Sequence, residues 1–91
     1  MRQQEPFFGD QELVLVYIAK KLREAKQVES LFDGGEVDYL VEPDRYRGGV
    51  LFVRELIGAF FYVSQAQAEA ARGALGAAGL KPYEPLLQPE G

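Results

Sequence analysis

A chain of 91 residues with 47% hydrophobic and 26% charged side chains has the length and composition of one folded domain. It contains neither Cys nor His, which excludes disulfides, thiolate metal sites, a Cys nucleophile, the commonest general base and the commonest zinc ligand. Its 10 basic and 14 acidic residues leave a net charge of −4, the opposite of the basic excess that nucleic-acid domains carry.

Residues 1–10 read as a polar arm with one apolar pair, Phe7-Phe8. Glu12-Leu13-Val14-Leu15-Val16-Tyr17-Ile18 is β-branched, aromatic and nearly all apolar, the pattern of a central strand buried on both faces. From Lys20 to Phe32 the period changes. Leu22, Ala25, Val28 and then Leu31 or Phe32 recur every three to four residues among charged ones, which predicts an amphipathic helix. Asp33-Gly34-Gly35 ends it, with glycine expected in the left-handed conformation.

Val37, Tyr39 and Val41 alternate with Asp38, Leu40 and Glu42, a second strand that Pro43 should stop. Pro43 to Gly49 has turn chemistry and reads as a loop. Val50–Val53 and Ala59–Val63 read as strands, joined by a hairpin turning near Glu55–Gly58 or by a short helical turn there. Ser64-Gln65-Ala66-Gln67 has the spacing of a capping box, and a helix should follow to about Ala78, closed by Gly79. Gly73 and Gly76 interrupt it, so it is either marginal or laid very close on a sheet. Leu80–Tyr83 reads as a short edge strand.

The order strand, helix, strand, one or two strands, helix, strand predicts an α+β fold. Its expected form is a ferredoxin-like two-layer sandwich in βαβ(β)βαβ order, with a mostly antiparallel sheet and both helices on one face. The domain should run from 12 to 83, between an arm at 1–11 and an irregular tail at 84–91. No apolar run approaches the ~20 residues of a membrane helix, and Met1-Arg2-Gln3-Gln4-Glu5-Pro6 lacks the apolar stretch of a signal peptide. A cytoplasmic location without nucleic-acid or membrane partners is the expectation.

Several of these stretches also resemble a known family. Val16-Tyr17-Ile18-Ala19, the helix through Glu24-Ala25, Leu31-Phe32, the Gly turn into Val37-Asp38-Tyr39-Leu40-Val41, and the later Tyr62-Val63 strand before Ala68-Glu69-Ala70-Ala71-Arg72 carry the likeness. Together they resemble a small bacterial family of prokaryotic signal-transducing proteins related in fold to PII-like regulators. The resemblance spans about residues 12–80 and implies a PII-like ferredoxin fold and a regulatory role. It assigns no functional residue, although in PII-like regulators the loop after the second strand makes contacts.

That loop supplies the first candidate site. In Asp44-Arg45-Tyr46-Arg47-Gly48-Gly49, two guanidinium forks match phosphate or carboxylate geometry, the glycine pair opens backbone amides, and Tyr46 has the chemistry of an interface anchor. A solvated connection in which the arginines pair with Asp44 and Glu42 is the plainer alternative. The second helix N-terminus at Ser64 could take an anion or simply cap itself. Glu36, Asp38, Glu42 and Asp44 could hold a hard cation or form a solvated strand face. Tyr17, Tyr39, Tyr62 and Tyr83 read as sheet packing.

Phe7, Phe8, Leu56, Ile57, Leu86 and Leu87 exceed what so small a core should hide, which points to packed tails or to a homo-oligomer. The expected function is therefore a small regulatory or interaction module, sensing an anionic small molecule or contacting a protein partner through 43–49. The alternative is a ligand-free assembly subunit joined by a sheet edge and apolar tails. An enzyme is not expected, since the only serines, Ser30 and Ser64, read as a helix residue and a cap. No cofactor or metal is expected.

Overall fold

The structure, a computed structural model, describes residues 1–48 and 54–83. In chain order the elements are α1 (Glu5–Phe8), β1 (Leu13–Ala19), α2 (Leu22–Gly34), β2 (Tyr39–Gly48), β3 (Arg54–Ser64), a 3-10 turn (Gln65–Gln67) and α3 (Ala68–Ala77). The chain is α+β, with a three-stranded antiparallel sheet of order β1-β3-β2. Since β3 runs antiparallel to both neighbours, β1 and β2 are parallel with β3 inserted between them. Helix α2 is the crossover that links the parallel pair.

β3, not β1, is therefore the central strand among the described residues. β1 looks fully buried in the sequence because a bulge between Leu15 and Tyr17 turns consecutive residues inward. Val16 and Tyr17 both join the core that way. α2 and α3 pack against each other and on the sheet. Ala25, Val28 and Phe32 from α2, and Ala68, Ala71 and Leu75 from α3, meet Phe61, Val63, Val37 and Tyr39. Phe8, Leu40 and Phe60 are also buried, outside that cluster. Residues before β1 are anchored at the sheet edge, where Gln3 N–H donates to Tyr39 O at 2.8 Å.

The largest departure from the sequence pattern is the β2–β3 hairpin. Pro43 does not stop β2, and residues 43–48 are strand rather than loop. The register passes from Tyr39↔Val63 to Gly48↔Arg54 without a shift. β2 has no other strand neighbour among the described residues, and an edge strand accommodates proline because half of its backbone groups need no ladder partner. Nor does the chain turn at Glu55–Gly58, which lie within the continuous strand β3. The expected strand Val50–Val53 falls outside the described residues. Leu80–Tyr83 is not a strand, yet Tyr83 N–H donates to Val16 O at 2.7 Å along the free edge of β1.

Both long helices end where the sequence placed their ends and close with the same motif, but only at α3 is the left-handed residue the expected glycine. At α3, Leu80 N–H reaches Leu75 O at 2.9 Å and Gly79 N–H reaches Gly76 O at 3.0 Å, with Gly79 at φ +82°. At α2, Val37 N–H reaches Phe32 O at 2.8 Å and Glu36 N–H reaches Asp33 O at 3.2 Å. The left-handed residue there is Glu36, at φ 58°, rather than either preceding glycine. Gly35 stays at φ −92°. A side chain in that region costs on the order of 1 kcal/mol that glycine avoids. Glu36→Gly should therefore stabilise the fold by about 0.5–1 kcal/mol, read as a higher urea midpoint with an unchanged slope. A lower midpoint would show that the Glu36 side chain stabilises the turn.

The expected capping box at Ser64 does not form. Ser64 makes no side-chain cap bond. Gln67 instead clamps the entry to β2, its Oε1 accepting from Asp38 N–H at 3.1 Å and its Nε2 donating to Glu36 O at 3.4 Å. The tertiary bonds satisfy backbone groups that no local partner reaches. Gly73 and Gly76 sit on the exposed side of α3, with no atom within 4 Å of where a Cβ would stand. Close approach to the sheet does not explain them.

Candidate functional site

Tyr46 is placed by its neighbours across the hairpin. Strand alternation and register put Leu40, Glu42, Asp44 and Tyr46 on the face away from the helices, and Val41 and Pro43 on the helix-side face. A Cβ on Gly58 would lie 3.0 Å from Ala19 O and 3.1 Å from both Ile18 Cγ2 and Tyr46 Cε1. The tyrosine ring thus occupies the space that the glycine leaves open, as aromatic side chains do over glycines in sheets. Tyr46 is half-buried, not a loop tip. The Lys20 ammonium lies 5.5 Å from its ring centroid, within cation–π range. Gly58→Ala should cost about 1–3 kcal/mol, because one of the three collisions is with backbone. The expected readout is a thermal midpoint lower by about 5 °C or more; a variant as stable as the parent would mean that Tyr46 does not rest there.

Around Tyr46 lies a groove of about 630 Å³. Its walls are Leu15, Ile18 and Phe60 from the sheet, Tyr17, Tyr46 and Tyr83, the cations Lys20, Arg45, Arg47 and Lys81, and the single carboxylate Glu24. Four cations face one anion on a chain whose net charge is −4. Glu24 is already engaged, its Oε1 accepting from Lys20 N–H at 3.1 Å in the first turn of α2, where the helix dipole favours a carboxylate. Burial first, and then the neighbouring Glu24, push the Tyr17 phenol above its ordinary range, so it stays protonated as a donor.

Arg45 pairs with Glu55 at 3.3 Å, rather than with Asp44 or Glu42. Both partners are mostly exposed, so this pair holds the guanidinium weakly and leaves it available to a ligand. Of the residues singled out in the sequence, the structure brings Arg45, Tyr46 and Arg47 to the groove. Gly48 ends β2 opposite Arg54, and Gly49 falls outside the described residues. The sequence did not point to Tyr17, Lys20, Glu24, Phe60, Lys81 or Tyr83 as members of this site. Lys81 and Tyr83 lie more than 30 residues from the hairpin arginines, and only the chain's return along β1 could have revealed them.

The acidic cluster is dispersed. Glu36 occupies the helix-ending turn before β2, while Asp38 lies 3.7 Å from the Met1 amine and accepts from Gln3 Nε2 at 3.4 Å. Among the described residues no group of three or more carboxylates gathers to hold a metal ion. Ser64 is buried. Among the same residues no helix is long and apolar enough to cross a membrane. No protein-family model, no curated protein and no solved structure matches this chain.

Proposed function

We propose that the chain is a small, non-enzymatic regulatory module that senses an anionic small molecule in the groove around Tyr46. The carrying observation is the charge of the lining, four cations to one already engaged carboxylate, beside aromatic walls in a groove of about 630 Å³. That volume lies within the range of small-molecule sites, and convergent guanidinium and ammonium groups suit phosphate or carboxylate oxygens. The groove joins β1, the hairpin arm and the segment after α3, so an occupant would tie three parts of the chain together. That is how a ligand becomes a change in shape or stability that a partner can read.

A ferredoxin-like assignment accords with this reading, as does kinship with PII-like signal-transducing proteins of the bacterial cytoplasm. The inserted β3 is the arrangement of a split βαβ unit. Its support is the β1-β3-β2 order and the Tyr83 bond to the free edge of β1, where a fourth strand belongs. The second reading, a ligand-free subunit of a homo-oligomer, draws on the exposure of Phe7 and Ile57.

Thermal unfolding against inorganic phosphate, phosphorylated metabolites and di- and tricarboxylates separates the two. A ligand at about 100 times its dissociation constant adds about 2.7 kcal/mol, which raises the midpoint of a domain this size by roughly 10 °C or more. The shift should vanish in Arg45→Ala/Arg47→Ala. A flat panel, with a midpoint that climbs with protein concentration, overturns the sensor reading in favour of the assembly.

A further inference from the structure

A second surface lies on the helix side of the same hairpin. α2 begins only at Leu22, so the helices leave the far end of that sheet face uncovered. Val41, Pro43, Ile57 and Ala59 floor a shallow groove of about 350 Å³ there, walled by Ala25 and Leu22 and rimmed by Arg2, Lys20 and Lys21. Leu22 and Ile57 are the two most exposed large apolar side chains among the described residues, standing 72% and 71% open. They come from different elements and stand beside three cations, and among the described residues no carboxylate joins the lining.

We propose that this surface docks on an anionic lipid bilayer. Two aliphatic side chains standing clear of the surface can enter the headgroup boundary, while the flanking ammonium and guanidinium groups meet lipid phosphates and carboxylates. Charge complementarity selects the occupant: 14 acidic residues make the chain acidic as a whole, yet the described rim is basic, with Lys20 and Lys21 beside an Arg2 that pairs with Glu29 at 3.9 Å across a mostly exposed contact. A second copy docking groove to groove would set cation against cation. The net charge that argued against nucleic acid hides this segregation.

The test is co-sedimentation of the full chain with phosphatidylcholine vesicles and with vesicles that also carry phosphatidylserine. Binding is expected to the anionic vesicles alone, and added salt should release it. Ile57→Ser, Leu22→Ser and Lys21→Glu should each weaken the partition by about ten-fold or more. None of the three lines the Tyr46 groove, so their ligand-dependent thermal shifts should survive, and the two readings fail separately. The sites are exposed, so circular dichroism should show each variant folded. No binding to anionic vesicles at low salt overturns the proposal, as does binding that the three variants leave unchanged. A synthetic acidic peptide rich in leucine that raises the melting midpoint while vesicles bind nothing would also overturn it, assigning the surface to a protein partner.

Discussion

Phe32→Ala is expected to lower the thermal midpoint by more than about 12 °C, and to leave the chain largely unfolded near body temperature. Phe32 is 0% exposed and stands at the meeting of both layers. Its ring packs edge-on against Tyr39 at 5.4 Å and Phe61 at 6.1 Å, and those two lie 5.8 Å from each other. The triad joins α2 to β2 and to the central strand β3. It also holds the helix end, because Val37, whose N–H reaches Phe32 O, is part of the same cluster. Truncating a buried Phe to Ala costs about 3–5 kcal/mol, and a domain of this length has only about 5–14 kcal/mol in all. Each kcal/mol moves the midpoint by roughly 4–8 °C. Phe32→Leu keeps most of the volume and should lose about 1–1.5 kcal/mol. Melting curves by circular dichroism decide the matter: a Phe32→Ala midpoint within a few degrees of the parent would mean that the triad is not the hub.

The second large effect is alkaline unfolding. Burial, then the nearby Asp33 and Glu29 carboxylates and the hydrogen bond to Asp33, hold the Tyr39 phenol far above its ordinary range. That bond runs from Tyr39 OH to Asp33 Oδ1 at 3.2 Å. Burial followed by Glu24 raises Tyr17, and burial followed by Asp44 and Glu42 raises Tyr62. In the unfolded chain these phenols ionise near 10, whereas in the folded chain they keep their protons to higher pH. Stability from these groups is therefore intact below about pH 10 and is lost as pH rises through the folded values. Each phenol contributes a slope of up to about 1.4 kcal/mol per pH unit in that window, so the three together approach about 4. Urea midpoints should be level across neutral pH and fall steeply above about pH 10. In Tyr39→Phe the fall should be shallower by about one tyrosine, from a lower starting stability because the bond to Asp33 is gone. Midpoints that stay level well past that pH would show that the phenols are hydrated in the fold.

What could be read from the sequence was whatever chain neighbours decide between themselves. The spacing of Ala25, Val28 and Phe32 encoded α2 and its buried face, because a helix brings residues three and four apart to one side. Gly79 encoded the end of α3 by supplying the left-handed residue that the turn demands. The types Arg45, Tyr46 and Arg47 marked an anion-binding composition wherever the chain placed them.

Tertiary structure decided the rest, and it did so against local signals. Pro43 and Gly58 read as stops, but both lie inside long strands. One is tolerated because β2 is an edge, and the other is favoured because a Cβ there would press on Ala19, Ile18 and Tyr46 at 3.0–3.1 Å. Ser64 and Gln67 had the spacing of a cap, but Gln67 found partners 29 and 31 residues away. The groove followed the same rule. Its arginines were visible in the sequence, while Lys20, Lys81, Tyr17 and Tyr83 became neighbours only once the central strand had set β1 beside the hairpin. Period and turn chemistry act within a few residues, whereas register and the meeting of distant charges depend on which strands share hydrogen bonds, a choice made by the whole core at once.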